Sequence, residues 1–102
     1  MHGEAAEKIV GGKLVRIKVD FNDSITNIQI SGDFFIDPEE CFYEIESSLK
    51  NISVNFQSDE IVEKINEIAK KHSAEFVGIS SEAIAKTLKE AIENGKMASN
   101  TS

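Results

Sequence analysis

The fold is decided by residues 14–30, Leu14-Val15-Arg16-Ile17-Lys18-Val19-Asp20-Phe21-Asn22-Asp23-Ser24-Ile25-Thr26-Asn27-Ile28-Gln29-Ile30. Val15, Ile17, Val19 and Phe21 alternate with Arg16, Lys18 and Asp20, the period of a strand with one face buried. Asn22-Asp23-Ser24 is turn chemistry, because short polar side chains bond nearby backbone and tolerate left-handed conformations. Ile25, Ile28 and Ile30 then interleave with Thr26, Asn27, Gln29 and Ser31 as a second strand. The two form a hairpin. Gly32-Asp33 interrupts the pattern and Phe34-Phe35-Ile36 resumes it, so a bulge or tight bend is expected there.

Working outward, three helices follow. Asp37-Pro38-Glu39-Glu40 reads as a helix start, with Asp37 as N-cap, Pro38 at the first helical position and Glu40 closing a capping box. Phe42, Ile45 and Leu49 fall at helical spacing behind it. Ser58 is the expected cap of the second helix, whose apolar face is Ile61, Ile65, Ile68 and Ala69 and whose basic end is Lys70-Lys71-His72. Ser80 opens the third, with Ile84, Leu88, Ala91 and Ile92 on one side and Asn94-Gly95 as its stop. Upstream of the hairpin, residues 4–9 are compatible with a short helix, too short to stand alone. The expected architecture is α+β, a small antiparallel sheet of two to three strands packed against helices on one face. Residues 1–95 form one domain with its core in 9–93, and 96–102 are a polar, disordered tail.

The chain has 102 residues, and 11 Lys+Arg against 18 Asp+Glu give a net charge of −7. That length suits a single domain. No apolar run approaches the ~18–20 residues of a membrane span, and the N-terminus lacks the apolar region of a signal peptide. Acidity argues against duplex nucleic acid, whose binding rests on phosphate neutralisation. A single cysteine, Cys41, excludes an internal disulfide and any cysteine-rich metal cage. The reading is a cytoplasmic domain without membrane or nucleic-acid partners.

Charge order says more than net charge. Residues 8–18 hold Lys8, Lys13, Arg16 and Lys18 and no acid. Residues 19–49 hold eight acids, from Asp20 to Glu46, and no base. A basic first strand in an acidic protein either is a solvated strand face or meets an anionic group. Gly11-Gly12-Lys13 stands just before that strand. Paired glycines allow close backbone approach and the lysine can reach an oxyanion, although the same residues serve equally as a flexible lead-in. It is not a Walker A motif, since no Ser or Thr follows Lys13 and a strand comes next. Phe34-Phe35 places one ring toward the core and its neighbour away from it. An exposed phenylalanine beside Asp33 would suit a partner contact. Cys41, in a helical first turn beside Phe42, reads as a packed and inert thiol. His2 falls in a mobile terminus and His72 at a helix C-terminus, so no metal or catalytic constellation arises. These residues alone describe a small α+β interaction module.

Three stretches carry a family resemblance. The run Gly11-Gly12-Lys13-Leu14-Val15-Arg16-Ile17-Lys18-Val19, the run Ile28-Gln29-Ile30-Ser31-Gly32-Asp33-Phe34-Phe35 and the start Pro38-Glu39-Glu40 resemble the small C-terminal domain of lipoate–protein ligases, and Gly78-Ile79-Ser80-Ser81-Glu82 fits more loosely. The resemblance implies a fold similar to iron–sulfur scaffold (SufE/NifU-like) proteins. It also implies a role in ATP-dependent activation of lipoate to lipoyl-AMP, which precedes lipoyl transfer to a lysine of an acceptor domain. The large domain that holds lipoate, Mg-ATP and the catalytic lysine is absent from these residues. The chain is therefore expected to be the non-catalytic accessory subunit of a split ligase, forming a heterodimer with the large subunit and binding no cofactor itself. By the same resemblance Gly11, Gly12, Lys13, Gly32, Asp33, Phe34 and Phe35 are the expected partner and adenylation-supporting residues, with no catalytic or metal ligand among them. The alternative is a sulfur or iron–sulfur assembly scaffold using Cys41, or a stand-alone interaction module.

Overall fold

The computed structural model describes residues 1–9, 11 and 13–100, without the side chains of 99 and 100. Gly12 and the last two residues of the expected tail lie outside them. The elements run β1 (His2–Ile9), β2 (Lys13–Phe21), β3 (Ile25–Gly32), β4 (Phe35–Asp37), α1 (Glu39–Leu49), α2 (Ser58–Lys71), β5 (Glu75–Val77) and α3 (Ser81–Asn100). The class is α+β, as expected. β1, β2 and β3 form an antiparallel sheet in that order, and β4 pairs with β5 in a second, two-stranded sheet.

The β2–β3 hairpin is as the alternation requires, with Ile17 opposite Ile30, Val19 opposite Ile28 and Phe21 opposite Ile25. Val15, Ile17, Val19, Phe21, Ile25, Ile28 and Ile30 are all buried. Arg16, Lys18, Asp20, Asn27 and Gln29 are exposed on the other face, which no helix covers. Gly32-Asp33 is a bend rather than a bulge: there the chain leaves the first sheet and enters the second.

Residues 4–9 are strand, not helix. Glu4 to Ile9 pair antiparallel with Lys18 to Lys13, and α3 packs against the strand so closely that a Cβ on Gly3 would lie 1.8 Å from Ala91 O. Ala and Glu carry little strand preference of their own, so this pairing and packing override local propensity. His2 accordingly sits in an ordered strand, bonded through Nδ1 to Asp20 Oδ1 at 2.7 Å, and not in a mobile end.

Three helix ends also differ from expectation. The N-cap of α1 is Pro38, in extended conformation and with no side-chain capping bond, since proline has no side-chain acceptor; Asp37 belongs instead to β4, opposite Glu75. Gln57, not Ser58, holds the N-cap position of α2. α3 opens as the sequence reads, with Ala83 N–H donating to Ser80 Oγ at 3.1 Å. It does not stop at Asn94-Gly95 but continues through most of the expected tail to Asn100. Gly95 is there for packing: a Cβ would meet Phe21 Cε1 at 2.7 Å and His2 O at 2.8 Å.

The core lies between the inner sheet face and the helices. Cys41, Ile45 and Leu49 from α1, Ile61, Ile65 and Ile68 from α2, and Ile84, Leu88, Ala91 and Ile92 from α3 are buried in it. α3 lies over β1 and β2, α1 beside β3 and β4, and α2 against α1 and α3.

Candidate functional site

The motifs picked from the sequence converge at one end of the first sheet. Lys13 opens β2 opposite Ile9, and two residues on Val15 pairs with Gly32 at the end of β3. Asp33 N–H donates to Leu14 O at 2.9 Å. Gly32 has φ +148 and a Cβ there would lie 2.0 Å from Leu14 O, so the two strands meet only if this residue is glycine. The start of β2, from Lys13 to Val15, and the Gly32-Asp33 bend are therefore neighbours in space.

A third stretch joins them. Gly78, just after β5, has φ +78, and a Cβ on it would stand 3.1 Å from Lys13 Cγ and 3.4 Å from Asp33 O. Sequence reasoning quoted Gly78 only within a loose motif. Its signal was the glycine itself, placed where backbone, lysine stem and a carbonyl crowd together.

The bases of β2 divide between two faces. By strand alternation Lys13 lies on the side of Val15 and Ile17, above Gly78, whereas Arg16 and Lys18 stand on the open face. Lys18 pairs with Glu4 at 3.6 Å. Among the described residues neither Lys13 nor Arg16 has an ion pair. Gly11, with φ +99 and nothing within 4 Å of a built Cβ, shapes the β1–β2 turn before Lys13.

The two phenylalanines part as alternation requires. Phe34 is half-buried and tilts against Phe42 with ring centroids 5.8 Å apart. Phe35 is 60% exposed and stands opposite Val77, itself 46% exposed. From Phe35 an open cleft of about 550 Å³ runs between the end of β3 and the start of α1, lined by Ile30, Gly32, Phe34, Phe42, Asp37 and Glu39. Tyr43, which the sequence reading passed over, continues the aromatic row: it lies edge-on to Phe42 at 5.7 Å and donates to Glu39 Oε1 at 3.1 Å. That bond and the Glu39 charge push the Tyr43 phenol above its ordinary value.

Cys41 stands apart from this surface. It is fully buried, and burial, helped by the Glu44 charge, raises its thiol pKa. A buried thiol held in the neutral form is a poor nucleophile, which counts against the sulfur-carrier alternative. Glu44 faces the other way, accepting from His72 Nε2 at 2.8 Å and Lys71 Nζ at 3.2 Å; these bonds lower its pKa and tie α1 to α2. Among the described residues no three His, Cys, Asp or Glu side chains gather as metal ligands, and no helix is long and apolar enough to cross a membrane. The arrangement offers one unpaired ammonium, close backbone approach at two glycines, and an aromatic surface.

No family model and no curated protein matches the sequence. A solved structure does: a chain from the structure of a bi-partite lipoate protein ligase and its E2 lipoyl domain from Thermoplasma acidophilum. The match has a TM-score of 0.64 at 28% identity, over 86% of this chain and 94% of that one. The resemblance to lipoate–protein ligases read from the motifs thus holds in three dimensions.

Proposed function

We propose that this chain is the accessory subunit of a two-component lipoate–protein ligase, required with the large catalytic subunit for activation of lipoate. Membership of a lipoylation system is supported by the similarity to the bi-partite ligase, over nearly the full length of both chains. The finer reading rests on one observation: Lys13, Gly32, Asp33 and Gly78 meet at a single exposed junction, with no ion pair to Lys13 among the described residues.

In the activation step a lipoate carboxylate oxygen attacks the α-phosphorus of ATP, the bond to the β-phosphate oxygen breaks, and pyrophosphate leaves with its charge. The large subunit would hold lipoate and Mg-ATP. Lys13 would present its ammonium to the phosphates as that charge develops, or orient a partner loop that does so. Gly32 and Gly78 let the strand end and the Lys13 stem pack closely, which fixes where that ammonium emerges. Phe35 would anchor the heterodimer, as exposed aromatic side chains do at interface centres. Acceptor domains would be modified by the complex without binding this chain directly.

The test is lipoyl-AMP formation by the large subunit with ATP and Mg²⁺, with and without this chain. Product only from the pair supports the reading. Full activity of the large subunit alone, with no co-elution, overturns it. A Lys13→Ala variant that still co-elutes and still supports the wild-type rate removes Lys13 from the chemistry.

A further inference from the structure

β3 is an edge strand, and its outer side is only partly closed. At its start the loop after α1 covers it: Ile25 N–H donates to Ile52 O at 2.9 Å and Asn51 N–H to Ile25 O at 2.7 Å. Farther along, the outward amide of Ile30 is met by a side chain instead of a strand, donating to Glu46 Oε2 at 2.9 Å. Strand alternation turns the backbone of Ile28 and Gly32 to the same outer side. This half-closed edge is one wall of the aromatic cleft, and Phe34, Phe35 and Phe42 supply the apolar surface beside it.

The rim of the cleft is acidic and lacks counter-ions. Asp37 and Glu39 line it, Asp33 and Glu40 flank it in sequence, and none of the four has an ion pair among the described residues. The other acids of this acidic stretch are not all in that state: Asp20 is bonded to His2, Glu44 to Lys71 and His72, and Glu46 to the Ile30 amide. The uncompensated carboxylates collect where the half-closed strand edge and the exposed ring are.

We infer that this cleft receives an extended segment of the large subunit, which takes the Ile30 amide over from Glu46 and pairs along the Ile28–Gly32 edge, with an apolar side chain against Phe35 and a lysine or arginine facing Asp37 and Glu39. Edge pairing supplies affinity through main-chain bonds, and the flanking pockets supply selectivity. The acid rim selects a cationic segment and rejects an acidic one, and charge complementarity of this kind acts chiefly on association. The inference rests on the accessory-subunit reading and adds to it the place and chemistry of contact.

The experiment measures binding of the purified large subunit to the wild-type chain, to Phe35→Ser and to Glu39→Lys, with amide hydrogen exchange on the wild-type complex. Both side chains are exposed, so the variants keep the fold, which far-UV circular dichroism checks. The expected result is a loss of affinity of about tenfold or more for each variant. It is accompanied by new protection of the Ile28 and Gly32 amides, with Ala6 and Lys8 on the opposite edge strand unchanged. Unchanged affinity in both variants overturns the inference while leaving the subunit reading standing. So does a loss confined to Phe35→Ser without edge protection, which denotes an apolar contact only. No complex with the wild-type chain overturns both.

Discussion

Gly78 is the floor on which the Lys13 side chain lies: a Cβ at position 78 would stand 3.1 Å from Lys13 Cγ. The two residues are 65 positions apart, one opening β2 and the other following β5, so the strand sets the side on which the lysine lies and tertiary structure sets what its stem rests on.

A Gly78→Ala substitution is expected to act twice. With φ at +78 the new side chain costs about 1–2 kcal/mol of stability, read by urea denaturation. The added methyl also moves the lysine stem, so lipoyl-AMP formation with the large subunit should fall toward the rate of Lys13→Ala. A loss of stability with full activity would show that the lysine's placement is immaterial.

Gly95→Ala tests the reading of α3. In an exposed helix interior that change stabilises by roughly 1 kcal/mol. Here the methyl collides with Phe21 and the His2 carbonyl, so stability is expected to drop by about 1–3 kcal/mol. A stabilised variant would mean that α3 and β1 are not in backbone contact.

Two carboxylates should respond to pH with opposite sign. Glu44 has a lowered pKa, through its bonds to His72 and Lys71. Its contribution is present above the ordinary carboxylate pKa and is lost as pH falls through the lowered one. Glu44→Gln therefore destabilises at pH 7 and converges with wild type in acid. Glu90 has a raised pKa, chiefly because it hydrogen-bonds Glu7. The folded state then favours the protonated acid, and that contribution is lost as pH rises through the raised pKa. Glu90→Gln is thus expected to be more stable than wild type at pH 7, with the gain vanishing below the ordinary carboxylate range. Denaturation midpoints of both variants between pH 3 and pH 7, in steps of about half a unit, check the signs.

Cys41 should be inert in the folded chain. Its labelling by an aromatic disulfide reagent is expected to follow the unfolding rate, rising when urea is added and remaining slow without it. Rapid labelling without denaturant would reopen a sulfur-carrier role.

The parts legible in the sequence were those where one residue's pattern sufficed. The β2–β3 alternation, the apolar faces of α1 and α2, and the Ser80 cap each follow from local chemistry. β1 was hidden because Gly3-Glu4-Ala5-Ala6-Glu7 has no β-branched residue, and only the strand and helix beside it make it extended. β5 is three residues long, below the length at which a period can be counted. Asn94-Gly95 resembled a stop because glycine at a helix end and glycine under a neighbouring strand look alike in one dimension. The candidate site divided likewise. Its motif residues could be quoted, but that Lys13 lies across Gly78, and that Tyr43 and Val77 extend the surface around Phe35, are facts of assembly.

The close seat of α3 on β1 also bears on how the chain reaches its native state. Asn94 Nδ2 bonds to Glu4 O across 90 residues, and Gly3 and Gly95 admit backbone to backbone at the same seam. The first strand is thus covered by the last helix. On the ribosome, the three neighbouring strands can pair early, but β1 stays uncovered until α3 has cleared the exit tunnel. Folding that depends on so distant a contact is slow to begin and exposes its sheet edge meanwhile. Chains cut before Ala91 would be expected to persist as substrates for chaperones and proteases rather than as a smaller version of the domain.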